Sequence, residues 1–295
     1  MINDTPVYDI CDLSDFKEDD ILISRFAPYL ARHKNLSAAH GHTFYHLVLF
    51  TEGAGSHTID FERFPVNRYQ IYFMIPGQVH SWSFEGFVDG YIINFSEAFF
   101  QSFLLKPNYP ESLSFFSGDL KNAVIDLPAD LHVQIKTLFE QIIGEYENKF
   151  VQGADMLRLL ILQVFILVNR LNVNAVNNEA SSYNQTLLKN FQKLIEQNYI
   201  RLKLPKDYAE LLYITPNHLN AVCKDLLGIP AGEVIRNRAV LEAKRLLTNP
   251  NLTITEISYQ LNFSDNSYFT KFFKKVAGVG PEEFRKNILN QNHHA

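Results

Sequence analysis

The pattern of hydrophobic and polar positions divides the chain into regions of different period. Residues 40–100 alternate apolar and polar positions and are rich in β-branched and aromatic residues, in segments such as "TFYHLVLFT" and "YQIYFMI". Turn signals separate these segments, at Glu52-Gly53, Pro76-Gly77 and Asp89-Gly90. Alternation bounded by turn residues predicts a run of antiparallel strands.

Residues 130–171 have a helical period and predict two helices. One apolar face of the first helix is formed by Leu131, Ile135, Leu138, Phe139, Ile142 and Tyr146. The second, "ADMLRLLILQVFILVNRL", is apolar around more of its circumference. This predicts burial against the strands, against the first helix or in a dimer interface. Its longest apolar run is about half the length of a membrane span, so we expect no membrane association. The polar stretch 172–182 then predicts an interdomain linker.

The remaining region, 183–295, is helical in pattern and contains an internal repeat. At an offset of 50, four residues of one unit match four of the next: Leu219, Cys223, Lys224 and Gly228 match Phe269, Phe273, Lys274 and Gly278. Capping signals at Thr215 and Ser264, and a capping box from Thr253 to Glu256, predict where helices begin. Two helix-turn-helix units joined by a helix over "AGEVIRNRAVLEAKRLLT" are therefore expected. That helix would form a rod of roughly 25 Å.

The stretch "FSDNSYFTKFFKK" at 263–275 has two faces when it is placed on a helix. Tyr268, Phe269, Phe272, Phe273 and Val276 form an apolar stripe, and the opposite face carries Ser267, Thr270, Lys271 and Lys274. The stretch alone fits either an ordinary solvated basic face or a face that reads nucleic acid. The repeat favours the second interpretation, because paired helix-turn-helix units are a DNA-binding arrangement.

The charge distribution agrees with a nucleic-acid partner at one end. The net charge is −5, but 181–295 holds 15 Lys and Arg against 10 Asp and Glu, whereas 1–180 holds 12 against 22. The C-terminal part is thus at +5 and the N-terminal part at −10, which favours contact between the C-terminal part and a polyanion. Two cysteines and an acidic N-terminus without an apolar core predict a cytoplasmic protein.

The C-terminal region resembles the DNA-binding domain of AraC/XylS-type transcription regulators. The resemblance rests on "YITPNHLNAVCKDLLGIPAGEVI", "LEAKRLL" and "ITEISYQLNFSDNSYFTKFFKKVAGVGPEEFR". It implies two helix-turn-helix units that each place their second helix in the major groove of double-stranded DNA. The implied DNA-binding residues are Asn217, His218, Asn220, Ala221 and Lys224 in the first unit and Asn266, Ser267, Thr270, Lys271 and Lys274 in the second. Ala221 stands where many relatives carry a long polar residue, and it offers only a methyl contact.

The N-terminal region resembles the cupin-like sensor barrel of the same regulators, on "GAGSHTIDFERFPVNRYQIYFMIPGQVHSW". The resemblance implies a small-molecule effector, dimerisation through the helices that follow, and RNA polymerase as a further partner. The expected fold class is α+β, with the cupin-like β-barrel in 1–129, a helical dimerisation segment in 130–171, the linker in 172–182 and the all-α DNA-binding domain in 183–295. The expected effector-binding residues are His40, His42, Tyr45, His46, His80 and Trp82.

The histidines of the strand region allow three interpretations. His40, His42 and His46 are separated by even numbers of residues, so on an extended strand their side chains face the same side, and His80 lies on a later strand. The imidazoles could therefore bind a metal, line an effector pocket or be structural. Metal-using cupins generally add a glutamate near the position of His46, and none is present there. No nucleophile-elbow, P-loop or dinucleotide-binding motif occurs. We therefore expect a regulator without a metal or other cofactor, with a metal-dependent cupin enzyme as the alternative.

Overall fold

The computed structural model describes residues 6–13, 20–101, 103–104, 109–110, 113–173 and 179–292. The chain divides into two compact units, one formed by 6–176 and the other by 177–295. Helix α6 (Gly153–Val173) is the last element of the first unit, and α7 (Glu179–Asn198) is the first of the second. Both ends of the linker predicted at 172–182 are therefore helical, and its centre, 174–178, lies outside the described residues.

Two five-stranded sheets form the N-terminal unit. The first contains, in spatial order, β1 (Val7–Tyr8), β3 (His40–His42), β8 (Val79–Phe84), β5 (Gly55–Ile59) and β6 (Glu62–Pro65). The second contains β10 (Val124–Asp126), β7 (Gln70–Met74), β4 (Tyr45–Glu52), β9 (Asp89–Phe95) and β2 (Ile21–Arg25). Neighbouring strands are antiparallel except for the parallel pair β1–β3. The predicted strands thus form two facing sheets rather than a closed barrel.

The second sheet is covered on both faces, which explains why its strands are almost continuously apolar. Val48 and Phe50 of β4 point into a core between the two sheets, together with Trp82 of β8. Leu47 and Leu49 point to the opposite face, where α5 (Ala129–Asn148) and α6 pack. The short helices α1 (Ile10–Leu13), α2 (Phe26–Arg32), α3 (Ala98–Gln101) and α4 (Leu120–Ala123) complete the unit.

An ion pair and a hydrogen bond fix α5 on the second sheet. Glu140 of α5 accepts hydrogen bonds from the Arg25 guanidinium and the Tyr91 hydroxyl, and Arg25 also lies over the Tyr91 ring. Beneath them, Ile135, Phe139 and Ile142 are buried. The apolar face that the sequence predicts for this helix is therefore the face that packs on the sheet.

Seven helices form the described part of the C-terminal unit: α7, α8 (Pro205–Leu211), α9 (Pro216–Leu227), α10 (Ala231–Leu247), α11 (Ile254–Gln260), α12 (Asn266–Ala277) and α13 (Pro281–Asn292). The pairs α8–α9 and α11–α12 are the two helix-turn-helix units, and α10 connects them. Both second helices end at a glycine in the left-handed region, Gly228 with φ 74° and Gly278 with φ 82°. The repeat predicted from the sequence is thus also a repeat of backbone geometry.

The helix N-termini agree with two of the three predicted capping signals. The Thr215 hydroxyl accepts a hydrogen bond from the His218 N–H, and Thr253 and Glu256 form the expected reciprocal capping box. The prediction of Ser264 as a cap is wrong. Asp265 caps α12 instead, because its carboxylate accepts from the backbone N–H groups of both Ser267 and Tyr268.

Helix α10 belongs to both hydrophobic cores of this unit. Ala231 and Ile235 at its start pack with the first helix-turn-helix, and Val240 and Leu247 further along pack with the second. Between them, Arg238 pairs with Glu196 and Glu242 and lies 3.9 Å from the centre of the Tyr199 ring. A single rigid helix therefore fixes how the two helix-turn-helix units are spaced.

The Lys203 ammonium provides a second link between the two halves of this unit. It donates to the carbonyl oxygens of Tyr199 and Ile200 near the end of α7 and to that of Leu261 at the end of α11. Desolvation lowers its pKa to about 8. Carbonyl groups at helix C-termini favour a cation, so this lysine holds α7 against the second helix-turn-helix.

Candidate functional site

Helices α9 and α12 present polar faces at equivalent positions. Each is anchored by buried side chains at equivalent positions, Leu219 and Cys223 in α9 and Phe269 and Phe273 in α12. The exposed residues opposite these anchors are Asn217, His218, Ala221 and Lys224 in α9 and Ser267, Lys271 and Lys274 in α12. Seven of the ten predicted DNA-binding residues are thus accessible on two equivalent helix faces.

The other three predicted DNA-binding residues, Asn220, Asn266 and Thr270, are half-buried. The Asn220 carboxamide oxygen accepts a hydrogen bond of 3.0 Å from the Ala231 N–H at the start of α10. At the equivalent position of the second unit, α13 begins with Pro281, which has no N–H to donate. The structure thus gives Asn220 a role within its unit that the repeat did not predict, and Asn266 likewise donates to the Thr255 hydroxyl.

Five histidines meet between the two sheets of the N-terminal unit. His40, His42, His57 and His80 come from the first sheet, and His46 comes from the second. All five are at most 2% exposed, and Trp82 beside them is 5% exposed. The ring centres of His42, His46 and His80 are 5.0 to 5.2 Å apart, and that of His40 is 4.1 Å from that of His80. We call His40, His42, His46, His57, His80 and Trp82 the histidine cluster.

The turn before β8 places His80 in this cluster. Gly77 is in the left-handed region with φ 84°, and Gln78 is buried. The Gln78 side chain accepts from the Ile75 N–H and donates to the Asp60 carboxylate, which also accepts from the Val79 N–H. This turn therefore ties the start of β8 to the end of β5, so that His80 and His57 lie side by side.

The structure separates one predicted effector-binding residue from the histidine cluster and adds one residue that was not predicted. Tyr45 precedes His46 on β4, so its side chain points to the opposite face of the sheet, where it stacks on Phe95 and meets Phe116. His57 was not predicted, yet its Nε2 lies 2.9 Å from Nδ1 of His80. The pairing of β5 with β8, which places His57 opposite Trp82, is the feature that joins His57 to the cluster.

Hydrogen bonds donated by Nδ1 set the tautomers of three clustered histidines. Nδ1 of His40 donates to the Ala38 carbonyl at 2.8 Å, that of His42 to the Phe44 carbonyl at 3.0 Å and that of His46 to the Asn94 side-chain oxygen at 2.7 Å. Burial lowers the pKa of His40 to about 4 and that of His46 to about 3. The three rings are therefore neutral at pH 7, and each has a lone pair on Nε2.

Several polar atoms of the cluster are buried without a hydrogen-bond partner: Nε2 of His42, His46 and His80, Nδ1 of His57 and Nε1 of Trp82. In the described part of the chain, no three His, Cys, Asp or Glu side chains are placed to hold a metal ion. A cavity of about 320 Å³ lies nearby and is lined in part by Tyr8, Arg32 and Leu36. The Tyr8 ring contacts the His40 ring edge-on, with 5.7 Å between their centres.

Both units match known protein families. Residues 25–162 match the AraC-like ligand binding domain, and residues 208–287 match a helix-turn-helix domain. The chain belongs to the AraC family of transcription regulators. This family assignment confirms the resemblance inferred from the sequence, and it names regulators rather than enzymes.

Two regulators of known name agree with this assignment. The Msm operon regulatory protein of Streptococcus mutans is 30% identical over 112 residues, which is 38% of this chain and 40% of that protein. The transcriptional activator RhaR of Escherichia coli O139:H28 is 24% identical over 266 residues, 85% of this chain and 88% of its own. The crystal structure of ToxT from Vibrio cholerae O395 aligns over 90% of this chain and 97% of that one, with 14% identity and a TM-score of 0.45. None of the helices in the described part of the chain has an apolar stretch of the length that spanning a bilayer requires.

Proposed function

We propose that this protein is a cytoplasmic transcription regulator that binds a specific double-stranded DNA sequence and responds to a small-molecule effector. The observation that supports DNA binding is the pair of exposed polar faces on α9 and α12, connected by the rigid helix α10. Second helices of helix-turn-helix units enter the major groove, whose successive faces lie about 34 Å apart. Exposed lysines on both helices, Lys224, Lys271 and Lys274, complement phosphate charge.

In this proposal α9 and α12, which we call the reading helices, contribute differently to DNA recognition. At the position where α12 has Lys271, α9 has Ala221, which can contact a thymine methyl group but cannot hydrogen-bond a base. The carboxamide oxygen of Asn220 in α9 is already bonded to Ala231. We therefore assign most of the hydrogen-bonded readout of bases to α12, and we assign to α9 a larger share in positioning the protein on the DNA.

Replacement of Lys271 tests the DNA-reading role of α12. Lys271→Ala is expected to weaken binding to the preferred sequence by about 1–3 kcal/mol and to relax the preference at one base position. Fluorescence anisotropy with the preferred duplex and with each single-base variant measures both effects. Lys286→Ala, which removes an exposed charge from α13 instead, is the control. If Lys271→Ala weakens binding equally on every duplex, Lys271 contacts phosphate and does not read a base.

The effector must bind the N-terminal unit in this proposal, and its binding must change DNA affinity. A ligand shifts such an equilibrium only through different affinities for two states, and coupling of this kind is typically ~1–3 kcal/mol. The histidine cluster is the proposed contact region, because it holds buried polar atoms without partners. RNA polymerase is the further protein partner that regulation of transcription requires.

We also propose a homodimer that forms through the helical segment, on the outer face of α6. Met156, Leu159 and Ile166 are 46%, 53% and 38% exposed and fall on one side of that helix, whereas Leu160 packs against the core. Three exposed apolar side chains at helical spacing are typical of an interaction surface. Leu159, rather than Leu160, is therefore the residue to test.

Leu159→Glu is expected to weaken self-association by about 100-fold, because two carboxylates would have to lose water at the interface. Analytical ultracentrifugation of the full-length protein, with and without DNA, measures the change. Phe87→Glu introduces the same charge at another exposed apolar residue, 72% exposed in the turn between β8 and β9, and is expected to have no effect. A wild-type protein that remains monomeric on and off DNA would contradict the proposed dimer.

A further inference from the structure

The turns inside the two helix-turn-helix units have the same backbone conformation. In the first unit, Tyr213 and Ile214 donate backbone hydrogen bonds of 3.0 Å to carbonyl groups of α8. In the second unit, Asn262 and Phe263 donate the equivalent bonds of 2.9 Å to carbonyl groups of α11. The first residue of each pair is in the left-handed region, Tyr213 with φ 57° and Asn262 with φ 58°. At this position the two turns therefore differ in the side chain and not in the backbone.

The left-handed conformation suits asparagine but strains tyrosine. Asparagine tolerates a positive φ, whereas a bulky residue with a positive φ is an outlier. Packing can offset such strain, and the other aromatic residues with positive φ in the described part of the chain, Phe61 and Tyr69, are half-buried. Tyr213 lacks this compensation, because it is 95% exposed. The turn would form with less strain if it carried the asparagine of the second unit, so the fold does not explain the tyrosine.

The position of Tyr213 indicates what the side chain could contact. Strained residues that the fold does not require are concentrated at functional sites. Tyr213 lies two residues before Thr215, which caps α9. The first residues of a reading helix contact base edges in the major groove, so the turn just before that helix lies beside the phosphates that border the groove. A tyrosine hydroxyl is one of the groups that hydrogen-bond phosphate oxygen atoms in protein–DNA complexes.

Helix α9 also offers fewer hydrogen bonds to bases than α12 does. Ala221 has no polar side-chain atom, and the carboxamide oxygen of Asn220 is bonded to the Ala231 N–H. Contacts to phosphate fix the register of a protein on the duplex without reading its sequence. A long side chain with a hydroxyl group, placed just before α9, would supply such a contact to the unit that reads fewer bases.

We propose that Tyr213 is a positioning residue for DNA binding, whose hydroxyl group donates a hydrogen bond to a phosphate oxygen beside the groove that α9 enters. The inference rests on the proposed DNA-binding function. It adds a residue that neither the repeat nor the exposed faces of the reading helices assign. The contact extends the DNA-binding surface of the first unit from α9 into the turn that precedes it.

Two substitutions separate the hydroxyl group from the backbone strain. Tyr213→Phe removes the hydroxyl group and keeps both the ring and the strain. It is expected to weaken DNA binding about tenfold and to leave thermal stability unchanged. Tyr213→Asn introduces the residue that the second unit has at this position. It is expected to weaken binding by a similar factor while raising the Tm of the C-terminal unit by roughly 4 °C, because the strain is relieved.

Fluorescence anisotropy with the full-length protein measures the affinity for the preferred duplex and its single-base variants at several salt concentrations. A contact to phosphate predicts that Tyr213→Phe weakens binding equally on every duplex. The salt dependence should stay the same, because a neutral hydroxyl group releases no counterion, whereas Lys224→Ala should lower its slope by about one. Differential scanning calorimetry measures the Tm, and Trp82 fluorescence identifies the transition of the N-terminal unit.

Tyr259→Phe is the matched control, because Tyr259 is 62% exposed and lies within α11 in an ordinary helical conformation. It is expected to change neither DNA affinity nor the Tm. The inference is overturned if Tyr213→Phe binds DNA as tightly as the wild type, which would indicate a protein partner for this side chain. It is also overturned if the loss is confined to one base position.

The proposed function and this inference can fail separately. A wild-type protein that binds every duplex equally would contradict sequence-specific binding. The comparison of Tyr213→Phe with the wild type on that DNA would still test the phosphate contact, which does not depend on sequence. Conversely, a wild-type protein that prefers one sequence, together with Tyr213 variants of unchanged affinity, would contradict the inference alone.

Discussion

Lowering the pH from 7 to about 5 is expected to unfold the N-terminal unit while the C-terminal unit remains folded. Burial lowers the pKa of His40 to about 4 and of His46 to about 3, and it lowers the pKa of His42, His57 and His80 well below the usual range. In the unfolded chain these groups titrate near 6.5. Below that pH the unfolded state binds more protons than the folded state, so stability falls as the pH falls.

The expected size of this effect is large. Each buried neutral histidine costs about 1.4 kcal/mol of stability per pH unit between its unfolded and folded pKa values. From pH 6.5 to 5 this is roughly 2 kcal/mol for each of His40 and His46, a sizeable part of the total stability of a domain, and the lowered pKa values of His42, His57 and His80 act in the same direction. The pH dependence is steeper than that of a protein with one such residue.

Trp82 fluorescence follows the N-terminal unit during this titration, because the chain has no other tryptophan. Far-UV circular dichroism reports whether helical structure persists at the same time. His218, the histidine in the described part of the C-terminal unit, is exposed, so the described residues of that unit include no buried imidazole. Replacement of His40 by Gln should make the titration less steep. Unchanged Trp82 emission down to pH 4 would show that the cluster does not govern stability.

Phe273→Ala is expected to destabilise the C-terminal unit by about 3–5 kcal/mol, because it removes a fully buried ring. Phe273 packs against Phe269 in α12 and against Phe284 in α13. Its loss would leave a cavity at the point where the second reading helix meets the helix after it. The free energy of unfolding of this unit in urea measures the change.

Tyr268→Ala is the matched control for this substitution. The sequence pattern placed Tyr268 in the apolar stripe of the same helix, but that prediction is wrong, because Tyr268 is 60% exposed. Its truncation should therefore cost less than about 1 kcal/mol. DNA affinity measured under native conditions distinguishes a loss of folding from a loss of a DNA contact, because the Phe273→Ala variant should bind DNA normally wherever the protein remains folded. Equal destabilisation by the two substitutions would contradict the assignment of apolar and polar faces to α12.

Much of the C-terminal unit could be predicted because its determinants are local. Caps, glycine termini and the spacing of apolar residues lie within a few residues of the helix that they define. The repeat added a second constraint, since the same spacing occurs at α9 and α12. The error at Ser264 is also local: Ser264 and Asp265 are adjacent capping residues, and only the backbone shows which of them faces the first N–H groups.

The N-terminal site was less predictable because it depends on contacts between distant strands. The alternation of side chains along a strand correctly places His40 and His42 on one side of β3. Strand β4 lies in the other sheet, however, so His46 reaches the cluster from the opposite side. The same alternation directs Tyr45 away from the cluster. His57 joins through the pairing of β5 with β8, and Asn220 joins Ala231 through a contact between helices. Such contacts are set by the tertiary arrangement, which no local pattern specifies.

Selection of bound sequences from a random double-stranded DNA library by the full-length protein shows whether α9 and α12 read a DNA sequence. We expect an enriched motif with two blocks separated by about one helical turn, or 10–10.5 base pairs, one for each reading helix. The same selection with Lys271→Ala should lose preference at one position of one block, while the other block is retained. Recovery of unenriched DNA, with equal affinity for every sequence, would contradict the conclusion that α9 and α12 read the major groove.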